Sequence, residues 1–172
     1  VKKFTLFLLL ALMLVVVIVP ASAKKLVHPA LGMTMDVPAD WTADMSGANQ
    51  IALLLTNKAQ ADNAQPVITV ILSRSGTMTL EQYREFNRND LKKNPTLRMT
   101  MEQAVTIAKT KWYKMIFEFP QNNLKMGAAS FFTINKGIAY NITFAAPISL
   151  YSRCYPSAEK IIKSFTFPTK KL

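Results

Sequence analysis

Residues 111–145 read KWYKMIFEFPQNNLKMGAASFFTINKGIAYNITFA, and the alternation within them sets the fold class. Three strands are expected there in succession, at Lys111–Phe119, Ala128–Ile134 and Ile138–Ala145. In the first, Tyr113, Met115, Phe117 and Phe119 alternate with Trp112, Lys114, Ile116 and Glu118. In the third, Ile138, Tyr140, Ile142 and Phe144 alternate with Ala139, Asn141, Thr143 and Ala145. A period of two sends successive side chains to opposite faces of a pleated strand, which predicts a sheet wall with one strongly apolar face. The links Pro120–Gly127 and Asn135-Lys136-Gly137 are short and rich in turn formers, so consecutive strands should pair antiparallel. This wall carries core and no visible chemistry.

Working upstream, Thr79-Leu80-Glu81-Gln82 has the form of a capping box and predicts a helix running to about Lys93. Leu80, Tyr83, Phe86 or Asn87, and Leu91 would point inward. Lys92 and Lys93 suit the negative end of the helix dipole, and Asn94-Pro95 stops the helix. Ile51–Leu55 and Val67–Leu72 read as buried strands, the second β-branched and apolar on both sides. Leu26-Val27-His28 and Met33–Val37 read as a small hairpin around Pro29–Gly32, with Met33, Met35 and Val37 inward. Trp41 follows a Pro-bearing break and should fold over one end of the core. A further strand is expected at Thr100–Ala108, with Met101, Val105 and Ile107 on one side.

Downstream, a second helix is best defined at Ser157–Ser164. Pro156 either sits in its first turn or kinks a helix begun near Ser149. Tyr151, Cys154, Tyr155, Ala158, Ile161, Ile162 and Phe165 recur at helical spacing, which puts the only cysteine, Cys154, on a buried apolar face. Phe165-Thr166-Phe167 can close as a short strand. With no internal repeat or linker, the reading is one domain of the α+β class.

The chain opens Val1-Lys2-Lys3, continues apolar from Phe4 to Val19, and then reads Pro20-Ala21-Ser22-Ala23. That is the form of a Sec-type signal peptide over residues 1–23, cleaved after Ala23, with a mature domain at 24–172. An uncleaved anchor is the alternative, although the apolar run falls short of the ~20 residues that span comfortably. No cysteine follows the run to carry a bacterial lipid anchor. Losing Lys2 and Lys3 takes the net charge from +11 to +9. A basic exported protein is expected to meet no nucleic acid; anionic lipid headgroups, wall polymer or an acidic partner are the natural counter-surfaces. The plainer reading of the charge is solubility.

Groups for catalysis are sparse. The one histidine, His28, precedes Pro29 with no nucleophile or carboxylate at a telling spacing, and is expected as a half-exposed strand-end residue. Asp36, Asp40 and Asp44 lack the ordered oxygen ligands and turn glycine of a calcium loop, and no short-spaced His or Cys set suggests zinc. None of the five glycines forms a phosphate loop. The expectation is a non-enzyme with neither metal nor cofactor, and a hydrolase using His28 is the remaining alternative. The positive feature is Arg84, Arg88 and Lys92, four residues apart on one helix face, with Lys109, Lys111 and Lys114 adding charge near Trp112. Arg84, Arg88, Lys92, Lys111 and Lys114 form the candidate binding face. Against it stands a solvated face partly balanced by Glu81, Glu85 and Asp90.

In order, Leu31-Gly32-Met33-Thr34-Met35-Asp36-Val37-Pro38-Ala39-Asp40-Trp41, then Thr79-Leu80-Glu81-Gln82-Tyr83, then Ile161-Ile162-Lys163-Ser164-Phe165 resemble the PsbP-like and DcrB-like families. The resemblance covers essentially all of residues 24–172. It implies an α/β/α sandwich, a central twisted, mainly antiparallel sheet flanked by helices, an architecture shared with a Ran-binding nuclear family. It also implies a non-catalytic binding or assembly module of the cell envelope with a protein partner. Fold alone does not fix function. Peripheral attachment to anionic lipid or wall polymer through the basic helix face is the rival expectation.

Overall fold

In the computed structural model, which describes residues 22–47, 50–61 and 63–168, the chain begins with four strands. These are β1 (Lys24–Val27), β2 (Thr34–Val37), β3 (Trp41–Asp44) and β4 (Ile51–Asn57). Then come β5 (Val67–Arg74), α1 (Leu80–Lys93), β6 (Arg98–Ile107) and β7 (Thr110–Gln121). The chain ends with β8 (Leu124–Asn135), β9 (Ile138–Pro147) and α2 (Ile148–Lys163). Of the expected signal segment, residues 1–21 lie outside the described residues.

Seven strands form one antiparallel sheet in the order β3-β4-β5-β9-β8-β7-β6. The meander is tighter than the sequence outlines it. Asn122 and Asn123 both take positive φ, so two residues turn the chain where an eight-residue link was expected, and β8 already begins at Leu124. Ala108-Lys109 and Lys136-Gly137 turn their hairpins with the same pair of left-handed conformations. Such primed turns match the right-handed twist of the flanking strands.

Both faces of the sheet are covered, which corrects the expectation of one strongly apolar face. On one side Tyr113, Met115 and Phe132 meet Leu80, Tyr83 and Leu91 of α1. On the other, Trp112, Phe131, Tyr140, Ile142 and Phe144 join Cys154, Ala158, Ile161 and Ile162 of α2, and Met33 and Met35 of the β1–β2 hairpin. The result is a single-domain α/β/α sandwich, and Trp112 through Met115 are all buried because alternate residues enter different cores.

Local chemistry explains the helices. Thr79 caps α1: its side chain accepts from Gln82 N–H while the Gln82 side chain accepts from Thr79 N–H, at 3.2 and 2.8 Å. Asn87 is half-buried and Phe86 is left exposed, which resolves the alternative between them. Helix α2 begins at Ile148, so Pro156 lies inside it. Two residues depart from expectation. His28 is buried, because its ring reaches the carbonyl of Ala52 at 3.0 Å through Nε2 and accepts Leu31 N–H at Nδ1. Met101 is 45 % exposed, because β6 is the sheet edge and a bulge between Met99 and Met101 breaks its register.

Gly127 shows how closely α2 seats on the sheet. A Cβ there would stand 2.6 Å from Cδ2 of Tyr151, whose ring stacks on Tyr155 with centroids 5.3 Å apart. Burial pushes the Tyr151 hydroxyl up to about 12, with Glu159 adding to the effect, so the phenol stays neutral. Gly127→Ala should therefore lower stability by about 2 kcal/mol through overpacking. Thermal melting checks this. Unchanged melting would mean that α2 can slide on β8.

Candidate binding surface

The cations singled out in the sequence do not make one surface. Arg84 and Arg88 extend from α1 to Glu102 of β6, Arg84 through Nε and Arg88 through Nε and Nη2, at 3.1 and 2.7 Å for the latter two. Glu102 is 11 % exposed at its side chain. Burial opposes its charge most strongly, but the hydrogen bonds from Arg84 and Arg88 together outweigh that and hold its carboxyl below the usual range. Arg88 also reaches Glu85 at 2.9 Å. Arg84 and Arg88 are thus engaged by carboxylates. Lys92 is exposed near the end of α1.

Lys111 stands on the α1 side of β7 and pairs with Glu81 at 2.9 Å. Tyr113 donates to the same Glu81 oxygen at 2.5 Å. Tyr113 first, then Lys111, bring the Glu81 carboxyl down to about 2. Lys114 belongs to the opposite face. It is buried beside α2, 3.2 Å from the Tyr155 hydroxyl and 3.4 Å from Glu159. Burial and the nearby Glu159 raise the Tyr155 phenol, so this group is a neutral hydrogen-bonding partner. The three form a structural contact that locks α2 to β7. Period-two alternation already separates Lys111 from Lys114, because three residues along a strand reverse the face.

The sequence reading missed a different surface. Helix α1 covers only part of its face of the sheet. Beside it runs a shallow strip floored by Ser130, Asn141 and Thr143, with a cavity of about 200 Å³ under Asn87 and Asp90. The floor is knit together: Ser130 donates to Asn141 Oδ1 at 2.9 Å, and Thr143 donates to the same atom at 2.9 Å. Two large apolar side chains stay exposed on the elements bounding the strip, Phe86 on α1 at 53 % and Ile71 on β5 at 41 %. Phe86 stacks on Tyr83, whose ring stands edge-on to Phe132, which makes it a supported aromatic platform. The exposed member of the "Phe86 or Asn87" pair was the available signal.

Among the described residues no cluster of three or more His, Cys, Asp or Glu side chains converges as a metal site. No described helix is long and apolar enough to cross a membrane.

A seven-stranded antiparallel sheet, with one helix on one face and a helix plus hairpin on the other, defines a PsbP-like fold. The solved structures it resembles bear this out. The chain is similar to LpqN of Mycobacterium tuberculosis, described as involved in cell envelope biogenesis, at 17 % identity and a TM-score of 0.69 over 84 % of this chain and 90 % of that one. It is similar to the cyanobacterial PsbP (CyanoP) of Synechocystis at 14 % identity and a TM-score of 0.60, covering 86 % and 93 %. The Ran-binding protein Mog1p of Saccharomyces cerevisiae matches at 13 % identity and a TM-score of 0.61, covering 86 % and 96 %. No sequence-family description and no curated protein matches the chain. At these identities the likeness is one of fold.

Proposed function

We propose that this chain is an exported, non-enzymatic binding or assembly module of the bacterial cell envelope, docking a protein partner along the strip beside α1. The observation that carries the reading is the exposure of Phe86 and Ile71 on the elements bounding a strip whose floor is polar but satisfied. Exposed aromatic anchors next to hydrogen-bonding groups are the composition of protein interfaces. The envelope setting draws support from the signal-like residues 1–23 and from the likeness to LpqN. A protein partner draws support from the likeness to a Ran-binding protein. Docking through Arg84, Arg88 and Lys92 draws less, because Arg84 and Arg88 are already held by Glu102.

The test places a photo-cross-linking residue at Phe86 or Ile71 in the native envelope, with Arg153 on the exposed side of α2 as the comparison site. One partner captured at positions 86 and 71 and absent at 153 is the expected result. Equal capture from all three positions, or none from 86 and 71, sinks the strip as the docking face.

A further inference from the structure

One end of the sheet carries a row of cations that belongs neither to the strip beside α1 nor to the Arg84–Arg88–Glu102 set. Arg74 closes β5, Lys109 sits on the β6–β7 turn and Lys136 on the β8–β9 turn. Register places all three at the same end: Arg74 pairs with Ile138, Ser75 N–H donates to the carbonyl of Gly137 at 2.9 Å, and Tyr113 near the start of β7 pairs with Phe132 near the end of β8. All three are exposed and form no ion pair among the described residues. The row spans five adjacent strands, roughly 20 Å at the usual strand spacing. Lys111, two residues after Lys109, pairs with Glu81, and Met78, 37 % exposed, lies in the turn that follows Arg74. The other end of the sheet is mixed in sign, with Glu118 paired to Lys125.

Backbone conformation adds an independent argument. Lys109 has φ 60° and Lys136 has φ 51°, in primed turns where glycine and asparagine are favoured. A lysine at a left-handed turn position, the second in Ala108-Lys109 and the first in Lys136-Gly137, works against local stability, and such choices cluster where a side chain has a task. We propose that this hairpin end is a docking edge for an anionic phospholipid surface. Lipid suits it better than an acidic protein because the cations stand in an exposed row on strand ends and turns. Two of the three are lysines, flexible point charges without the rigid fork that selects carboxylates. Met78 supplies an apolar side chain beside them.

The double variant Lys109→Gly/Lys136→Asn tests this without risking the fold, since both replacements suit their turns. It should melt at or above the parent temperature and still bind vesicles of mixed phosphatidylglycerol and phosphatidylcholine on the order of twenty-five-fold more weakly, about fivefold per cation. Lys92→Ala/Lys93→Ala removes equal charge from the far end of α1 and should change binding less than twofold. Parent binding should also fall steeply with salt. Equal losses in the two variants would reduce the effect to net charge and overturn the edge. Parent protein that ignores the anionic vesicles yet binds a polyglutamate peptide through Lys109 and Lys136 would overturn lipid as the occupant.

Discussion

Trp112→Ala is expected to destabilise the protein by about 3–5 kcal/mol, a large part of the roughly 5–15 kcal/mol by which domains are folded. Trp112 is fully buried, and its ring meets Tyr140, Phe165 and Phe167 at centroid distances of 6.5, 5.6 and 5.9 Å. Its Nε1–H also donates to the carbonyl of Ile107 at 3.2 Å, tying the ring to the neighbouring strand. Trp112→Phe separates the two contributions. It keeps most of the aromatic contact and leaves the Ile107 carbonyl without that donor, so it should cost about 1–2 kcal/mol. Urea unfolding of the three proteins reads both numbers. If the alanine variant lost under 1 kcal/mol, the closing segment around Phe165 would have to be repacking into the vacancy.

That closing segment shows how much of the fold was legible in the chain. Phe165 and Phe167 were expected as a last short strand, and Thr166 does bridge to Thr34, which draws both aromatics onto the Trp112 core. The capping box at Thr79 and Gln82 fixed the start of α1 because it is a local device with one geometry. Period-two alternation located the central strands for a similar reason. What alternation does not carry is the occupancy of each face. Tyr113 and Trp112 are both aromatic and both buried, and only the third dimension shows that one meets α1 and the other the α2 core.

The site was less legible than the fold. Arg84, Arg88 and Lys92 share a helix face by spacing alone, yet Arg84 and Arg88 are held by Glu102 of β6, distant in sequence, while Lys92 is exposed. Phe86 was ambiguous because a helix flank and a helix interior differ there by one residue. His28 reads from the sequence as a half-exposed strand-end residue because nothing local shows that its ring will reach Ala52, 24 positions away. For Arg84, Arg88 and His28 the missing fact was a partner distant in the sequence.

The same long-range partner makes Glu102 the second position with a large expected effect. Glu102→Ala leaves two guanidiniums, 29 % and 26 % exposed at their side chains, facing a vacancy on the sheet edge. Removing one member of a fully buried ion set costs about 3–5 kcal/mol; partial exposure reduces this to about 2 kcal/mol. Replacing the whole set by Arg84→Met/Arg88→Met/Glu102→Leu should come within about 1 kcal/mol of the parent, because desolvation of the three charges is relieved together. The pH dependence has a fixed sign. The Glu102 carboxyl lies below its unfolded value in the folded protein, so its contribution is fully present above the unfolded pKa of about 4.3. It is lost as pH falls through the folded value. Stability measured by urea unfolding should therefore differ most between parent and Glu102→Gln at neutral pH, and the two curves should converge on acidification. A gap that stayed constant down to acid pH would mean that Glu102 acts through packing and that its charge contributes nothing.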